Sequence, residues 1–236
     1  MTALVPGPDG PGPAADGPGP ASDGPGPAPR RSGPARPLRV GVLALQGGVR
    51  EHARMLVGLG ADVVPVRRAE QLDALDALVL PGGESSTIDR LLRVLDLRDP
   101  LRAAIAQGLP VLGTCAGLIL LADRIEDPAP GQQTLGVLDV TVRRNAFGRQ
   151  ADSSEETVAT VLGPVRAAFI RAPQVVSVGE GVEVIARRGA EPTDTDAPIV
   201  GVRRGDVTGI AVHPELTGDA TFHRALLGQA AVRRAG

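Results

Sequence analysis

The stretch Leu109-Pro-Val-Leu-Gly-Thr-Cys-Ala-Gly-Leu118 decides the fold. Residues 110–113 form a short apolar run with the length and setting of a core strand. The run enters Cys115, which is flanked by Gly113 and Gly117, and the apolar segment 117–125 that follows reads as a buried helix. Strand, G-x-C-x-G turn and helix make a nucleophile elbow with Cys in place of Ser. The two glycines permit a sharp turn and a close approach of backbone to backbone. Such a turn holds the thiol at the C-terminal edge of a sheet, where the start of the next helix adds positive potential that favours thiolate.

Upstream, residues 38–45 read as a strand and Gly47-Gly48 as a turn. Residues 49–59 have the spacing of an amphipathic helix, ended by Gly60. Further strands are expected at 62–66 and 77–80, the latter stopped by Pro81-Gly82-Gly83, and further helices at 85–95 and 100–107. Alternating strands and helices predict a parallel sheet covered on both faces. After residue 135 the pattern changes to short strands at 135–142, 157–161, 167–170, 182–187, 199–203 and 209–212, closed by a helix at 221–227. The predicted fold is a three-layer α/β sandwich. Its central sheet is mostly parallel, with an antiparallel extension, and the last strand returns to the main sheet.

Composition narrows the rest. The chain of 236 residues has no Trp, no Tyr and three Phe, so Leu, Val, Ile and Ala must fill its core. A formal net charge of −2 without a dense basic run does not suggest nucleic-acid or acidic-membrane binding. Cys115 is the single cysteine, so no intrachain disulfide points to secretion. Neither a signal-like N-terminus nor a bilayer-length apolar run is present, and a cytoplasmic location is expected. Residues 1–37 stand apart: Asp-Gly-Pro-Gly-Pro-Ala recurs from Asp9, Asp16 and Asp23. With so little apolar side chain to bury, they are expected to form a disordered tail before a domain at 38–236.

Candidate chemistry gathers at three places. Cys115 is the candidate nucleophile. Far downstream, Gly209-Ile-Ala-Val-His-Pro-Glu215 reads as a strand ending in H-P-E, with Pro214 keeping the chain extended so that His213 and Glu215 face one site. His213 is the candidate base, and Glu215 the group that sets its tautomer. Leu80-Pro-Gly-Gly-Glu-Ser85 links a strand to a helix at the edge where doubly wound sheets bind ligands. The amides of Gly82 and Gly83, with that of Ala116, are placed to meet a developing oxyanion.

These residues resemble the class I, triad-type glutamine amidotransferases, and within them the glutaminase subunits of two-component pyridoxal 5′-phosphate synthases. The resemblance rests on Leu45-Gln46-Gly47-Gly48 with Val49-Arg50-Glu51-His52, Pro81-Gly82-Gly83-Glu84-Ser85, and Gly113-Thr114-Cys115-Ala116-Gly117. It also rests on Arg144-Asn145-Ala146-Phe147-Gly148-Arg149-Gln150, Phe169-Ile170-Arg171-Ala172-Pro173 and His213-Pro214-Glu215-Leu216. The motifs cover roughly residues 38–229. The resemblance implies a Cys115–His213–Glu215 triad that releases ammonia from L-glutamine through a thioester, with no metal or cofactor. It implies glutamine binding by Gly83, Glu84, Ser85, Arg144, Ile170 and Arg171, a chemistry in which Arg suits the carboxylate and Glu the ammonium. It further implies a partner, the synthase subunit that takes the ammonia to make pyridoxal 5′-phosphate. Gln46, beside the Gly82-Gly83 loop, is expected to hold the active orientation of that loop when the synthase docks near residues 46–52. Arg149 and His52 are left outside the site, as partner-facing or solvated. The alternatives are a glutaminase serving another amidotransferase and a stand-alone γ-glutamyl peptidase.

Overall fold

The computed structural model describes residues 1–3, 7, 10, 12, 36–147, 153–189, 191 and 193–236. Most of the tail, and Gly148, Arg149 and Gln150 of the R-N-A-F-G-R-Q motif, lie outside the described residues. The compact unit is Arg36–Gly236.

Its first half alternates strictly: β1 (Arg39–Leu43), α1 (Val49–Gly58), β2 (Asp62–Val66), β3 (Ala77–Leu80), α2 (Ser85–Val94), α3 (Arg98–Ala106), β4 (Val111–Thr114) and α4 (Ala116–Leu121). The second half contains β5 (Ala122–Glu126), β6 (Leu138–Arg143), β7 (Ser154–Thr160), β8 (Val165–Phe169), β9 (Gln174–Val178), β10 (Glu183–Arg187), β11 (Ile199–Arg204) and β12 (Val207–Ile210). It ends with α5 (Pro214–Thr217) and α6 (Thr221–Ala235). The strands run in the order β2-β1-β3-β4-β12-β11-β10-β7-β8, with β5, β6 and β9 joined beside β11. The block β2-β1-β3-β4-β12 is parallel throughout. From β12 to β11, β10, β7 and β8 every pairing is antiparallel. The last strand thus returns to the main sheet beside β4, as the sequence predicts.

The central strands are mostly apolar because both faces are covered. Every residue of β3 and of β4 is buried. Right-handed crossovers explain the layers. The chain moves from β1 to β2 in one direction across the sheet and from β3 to β4 in the other, so α1 and the α2–α3 pair fall on opposite faces. Helix α6 packs on β3 and β4 on the face of α1, while α4 packs with α2. The loops after β1 and β3 meet where the winding reverses, the usual ligand position in such sheets.

Four local expectations need correction. The helix predicted at 117–125 stops at Leu121, and Ala122–Glu126 is a strand paired with β6. The apolar run signalled burial but not conformation, and exposed Asp123 and Arg124 mark the change. Strand β9 falls where no element was expected. Finally, His213 does not sit in an extended H-P-E segment. Strand β12 ends at Ile210, and His213 precedes α5, with Pro214 at its first turn. Proline is favoured at that helical position, which an extended reading overlooks. The closing helix also runs on past Gly228 to Ala235.

Candidate active site

The elbow conformation follows from its neighbours. Cys115 has φ 48° and ψ −101°, strained for a residue with a side chain. Its amide donates to the Ile210 carbonyl at 2.8 Å, tying the turn to β12. A Cβ on Gly117 would strike the Leu80 carbonyl, and one on Gly113 would meet Leu121 at 2.6 Å. Both glycines are therefore required for packing.

His213 is fixed by backbone pairing with the end of β8. Its amide donates to Ala168 at 3.0 Å, and the Ala168 amide returns a bond to its carbonyl at 3.2 Å. The first turn of α5 then swings Glu215 under the ring, with 2.7 Å between His213 Nδ1 and Glu215 Oε1. An ionised carboxylate only accepts, so Nδ1 carries the proton and Nε2 is left for Cys115. Burial alone would lower the His213 pKa. Hydrogen bonds to Cys115 and Glu215, and their charges, reverse this and raise it to about 10. For Glu215, burial pushes the carboxyl upward, but the hydrogen bond and the charge of His213 hold it below its ordinary value.

The Gly82-Gly83 loop closes the other side. The Gly82 carbonyl accepts from the Gly48 amide at 3.0 Å. A Cβ on Gly47, at φ 99°, would collide with that carbonyl, and one on Gly82 would collide with the His213 ring. Gln46 Oε1 accepts from the Glu84 amide at 2.7 Å. The Gln46 side chain thus holds the peptide after Gly83, and Gly48 holds the peptide before it. Ala116 is fully buried at the start of α4, next to Cys115.

Beside the loop lies a pair of opposite charges. Arg144 Nη2 donates to Glu84 Oε1 at 3.0 Å, and Arg144 Nη1 to Gln132 Oε1 at 3.0 Å. Gln132 also donates to Ser85 Oγ at 3.0 Å. Glu84, Ser85 and Arg144 therefore come together, joined by Gln132, which nothing in its loop sequence singled out. Ile170 and Arg171 follow the β8 segment that pairs with His213, and Arg171 has φ 47°. Their loop is tied to the Arg144 loop by the Ala146 amide donating to the Ala172 carbonyl at 3.0 Å. His52, expected to face solvent or a partner, is fully buried behind Glu215. Its place on the inward face of α1 decides this.

Residues 42–231 match the SNO glutamine amidotransferase family. The chain belongs to the SNO glutamine amidotransferase family. This family member is 57% identical over 202 residues to the pyridoxal 5′-phosphate synthase subunit PdxT of Kineococcus radiotolerans, covering 84% of this chain and 97% of the relative. It is 58% identical over 189 residues to the subunit PdxT of Acidothermus cellulolyticus, covering 78% and 90% respectively. A crystal structure of a glutamine amidotransferase superposes with a TM-score of 0.74 at 48% identity, covering 81% of this chain and 98% of that one. No helix among the described residues is long and apolar enough to cross a membrane.

Proposed function

We propose that this amidotransferase hydrolyses L-glutamine to L-glutamate and ammonia, and supplies the ammonia to a synthase subunit that makes pyridoxal 5′-phosphate. The observation that carries the chemistry is the buried series Cys115, His213 and Glu215, facing a glycine loop and a Glu84–Arg144 pair. The Cys115 sulfur attacks the side-chain amide carbon of glutamine. His213 gives its proton to the departing nitrogen, so ammonia leaves and a glutamyl thioester remains. Water then attacks the thioester carbonyl, His213 takes its proton, and glutamate leaves as Cys115 is restored. The Ala116 amide and the Gly82-Gly83 loop receive the oxyanion in both steps. Glutamine is a zwitterion beyond its amide, and it meets the Glu84–Arg144 pair by matching ammonium to Glu84 and carboxylate to an arginine. Gly83, Ser85, Ile170 and Arg171 complete that pocket. A reducing, cytoplasmic setting suits a single nucleophilic thiol.

The high identity to PdxT subunits along almost their whole length supports a synthase partner. Docking near residues 46–52 is proposed to secure the oxyanion loop through Gln46. One experiment tests the whole reading: glutamate release from glutamine, with and without the synthase, for the parent, Cys115→Ala and Gln46→Ala. The parent should be stimulated by the synthase, Cys115→Ala should be inactive, and Gln46→Ala should lose about 100- to 1,000-fold of the stimulated rate. Activity in Cys115→Ala overturns the nucleophile assignment. Release from γ-glutamyl peptides, unaffected by the synthase, would favour the stand-alone peptidase.

A further inference from the structure

Two histidines that the proposed reaction does not use lie directly behind the triad. His52 on α1 and His223 on α6 are both wholly buried. His52 Nδ1 is 2.8 Å from His223 Nε2, and His52 Nε2 is 3.1 Å from Thr114 Oγ1 and 3.4 Å from Glu215 Oε1. The rings lie 5.1 Å apart and tilted at 35°. One pair thus joins α1, α6, the end of β4 and the carboxylate that holds His213.

We propose that His52 and His223 form a neutral histidine pair that positions Glu215, and through it the ring of His213. The inference rests on the glutaminase reading of the triad. The proton positions follow from donors and acceptors. Glu215 Oε1 only accepts when ionised, so a bare lone pair on His52 Nε2, 3.4 Å away, would face it unfavourably. The His52 proton therefore sits on Nε2, directed between Thr114 and Glu215. His52 Nδ1 must then accept, and His223 Nε2 must donate. That leaves His223 Nδ1 as a bare acceptor, and it is a buried atom without a hydrogen-bond partner among the described residues. The opposite arrangement would leave a buried N–H orphaned there, which folded proteins avoid more strictly.

The surroundings keep both rings uncharged at neutral pH. Burial lowers the His52 pKa, against the opposing charges of Glu215 and Glu51 and with the help of His213. Burial above all lowers His223 to about 3, against the opposing charges of Glu215 and Asp219. A neutral donor beneath Glu215 aligns the carboxylate without taking the proton that His213 must hold. Oε1, the atom bonded to His213 Nδ1, is the one that His52 approaches, and Oε2 has no partner among the described residues. Without the pair, the carboxylate is free to turn, and the His213 ring loses its fixed direction toward Cys115.

The first test uses the unaltered, 15N-labelled full chain. Long-range 15N–1H spectra at pH 7 should show His52 and His223 neutral, each protonated at Nε2. An imidazolium, or an Nδ1–H form, in either ring overturns the proposal. The second test compares His52→Leu, His223→Leu and His223→Gln, the last keeping an N–H where Nε2 stood. The folded Leu variants should lose about 10- to 100-fold in kcat with KM for glutamine unchanged, and their His213 titration should move to lower pH. His223→Gln should recover most of both. Folded Leu variants with the parent's kcat and His213 titration overturn the positioning role, as does a His223→Gln no better than His223→Leu. If the parent releases no glutamate, the glutaminase reading fails, and the tautomers and the His213 titration still decide the pair.

Discussion

At Gly82 a single hydrogen atom separates a working site from a blocked one. Its backbone φ is not in the left-handed region, so a side chain there carries no conformational penalty. Yet a Cβ would collide with the His213 ring. Gly82→Ala should therefore still fold, at a cost of about 1–3 kcal/mol for displacing the buried ring or loop, and lose about 100-fold in kcat. Thermal unfolding and steady-state glutaminase kinetics check this together. His213 itself makes a second prediction. Its pKa of about 10 in the folded chain stands above the ordinary value of 6.5, so folding favours the protonated ring. The stability it contributes is full below about 6.5 and is lost as pH rises through about 10. Cys115→Ala removes one of the two hydrogen bonds that raise it. NMR titration of the ring should show a lower pKa in that variant, and the loss of stability that starts near pH 6.5 should be complete at lower pH.

Among the elements, the two loops proposed to enclose glutamine are bound by an aromatic clamp. The Arg188 guanidinium lies 4.8 Å from the Phe147 ring and 4.7 Å from the Phe169 ring, and it is paired to Glu156 at 2.6 Å. Phe147 and Phe169 meet edge to face at 5.6 Å. Phe147 follows Arg144 by three residues and Phe169 precedes Ile170, so two of the three Phe in the chain hold the two loops together. Cation–π contacts of this kind contribute about 0.5–2 kcal/mol. Arg188→Ala should raise KM for glutamine by roughly 10-fold, with a smaller fall in kcat passed on through Ala168, which precedes Phe169 and pairs with His213. Arg188→Lys, which keeps charge but not the planar stack, should fall between. Steady-state kinetics over a glutamine series gives the result.

Over the whole molecule, Asp76 joins residues 36–39 to the last helix. It accepts from Arg36 at 2.9 and 3.1 Å and from the Arg39 amide at 2.7 Å, and Arg234 of α6 lies 3.8 Å away. Burial would raise the Asp76 carboxyl, but these bonds and the arginine charges hold it below its ordinary value. Arg36 is therefore anchored, although the sequence reading assigned it to the tail. Two truncations separate the tail from this anchor. A chain starting at Arg36 should keep the parent's turnover and melting temperature. One starting at Leu38 should keep turnover but melt about 1–4 °C lower, the scale of one partly exposed ion pair in a domain of this size. A large loss of turnover from removing residues 1–35 alone would show that the tail serves the site.

The sequence specifies the alternation of strands and helices, the elbow at Cys115, the glycine loop and the order of the motifs. Each is a local signal: hydrophobic period, glycine spacing, and proline or glycine at a turn. It also named Cys115, His213, Glu215, Glu84, Ser85 and Arg144, which the fold brings together from β4, α5, the start of α2 and the β6 end. What depends on contacts between distant segments is fixed by the fold alone. The placement of His213 follows from pairing with Ala168, a residue 45 positions upstream. Gln132 and Arg188 carry no spacing signal, because their partners lie on other loops. His52 reads as a surface histidine on a helix, and it is buried because α6 returns to cover that face of α1 with His223. Period and turn chemistry act over a few residues and are written in order along the chain. Burial and hydrogen-bond partners are set by which surfaces meet when the sheet closes, and no short window of sequence contains them.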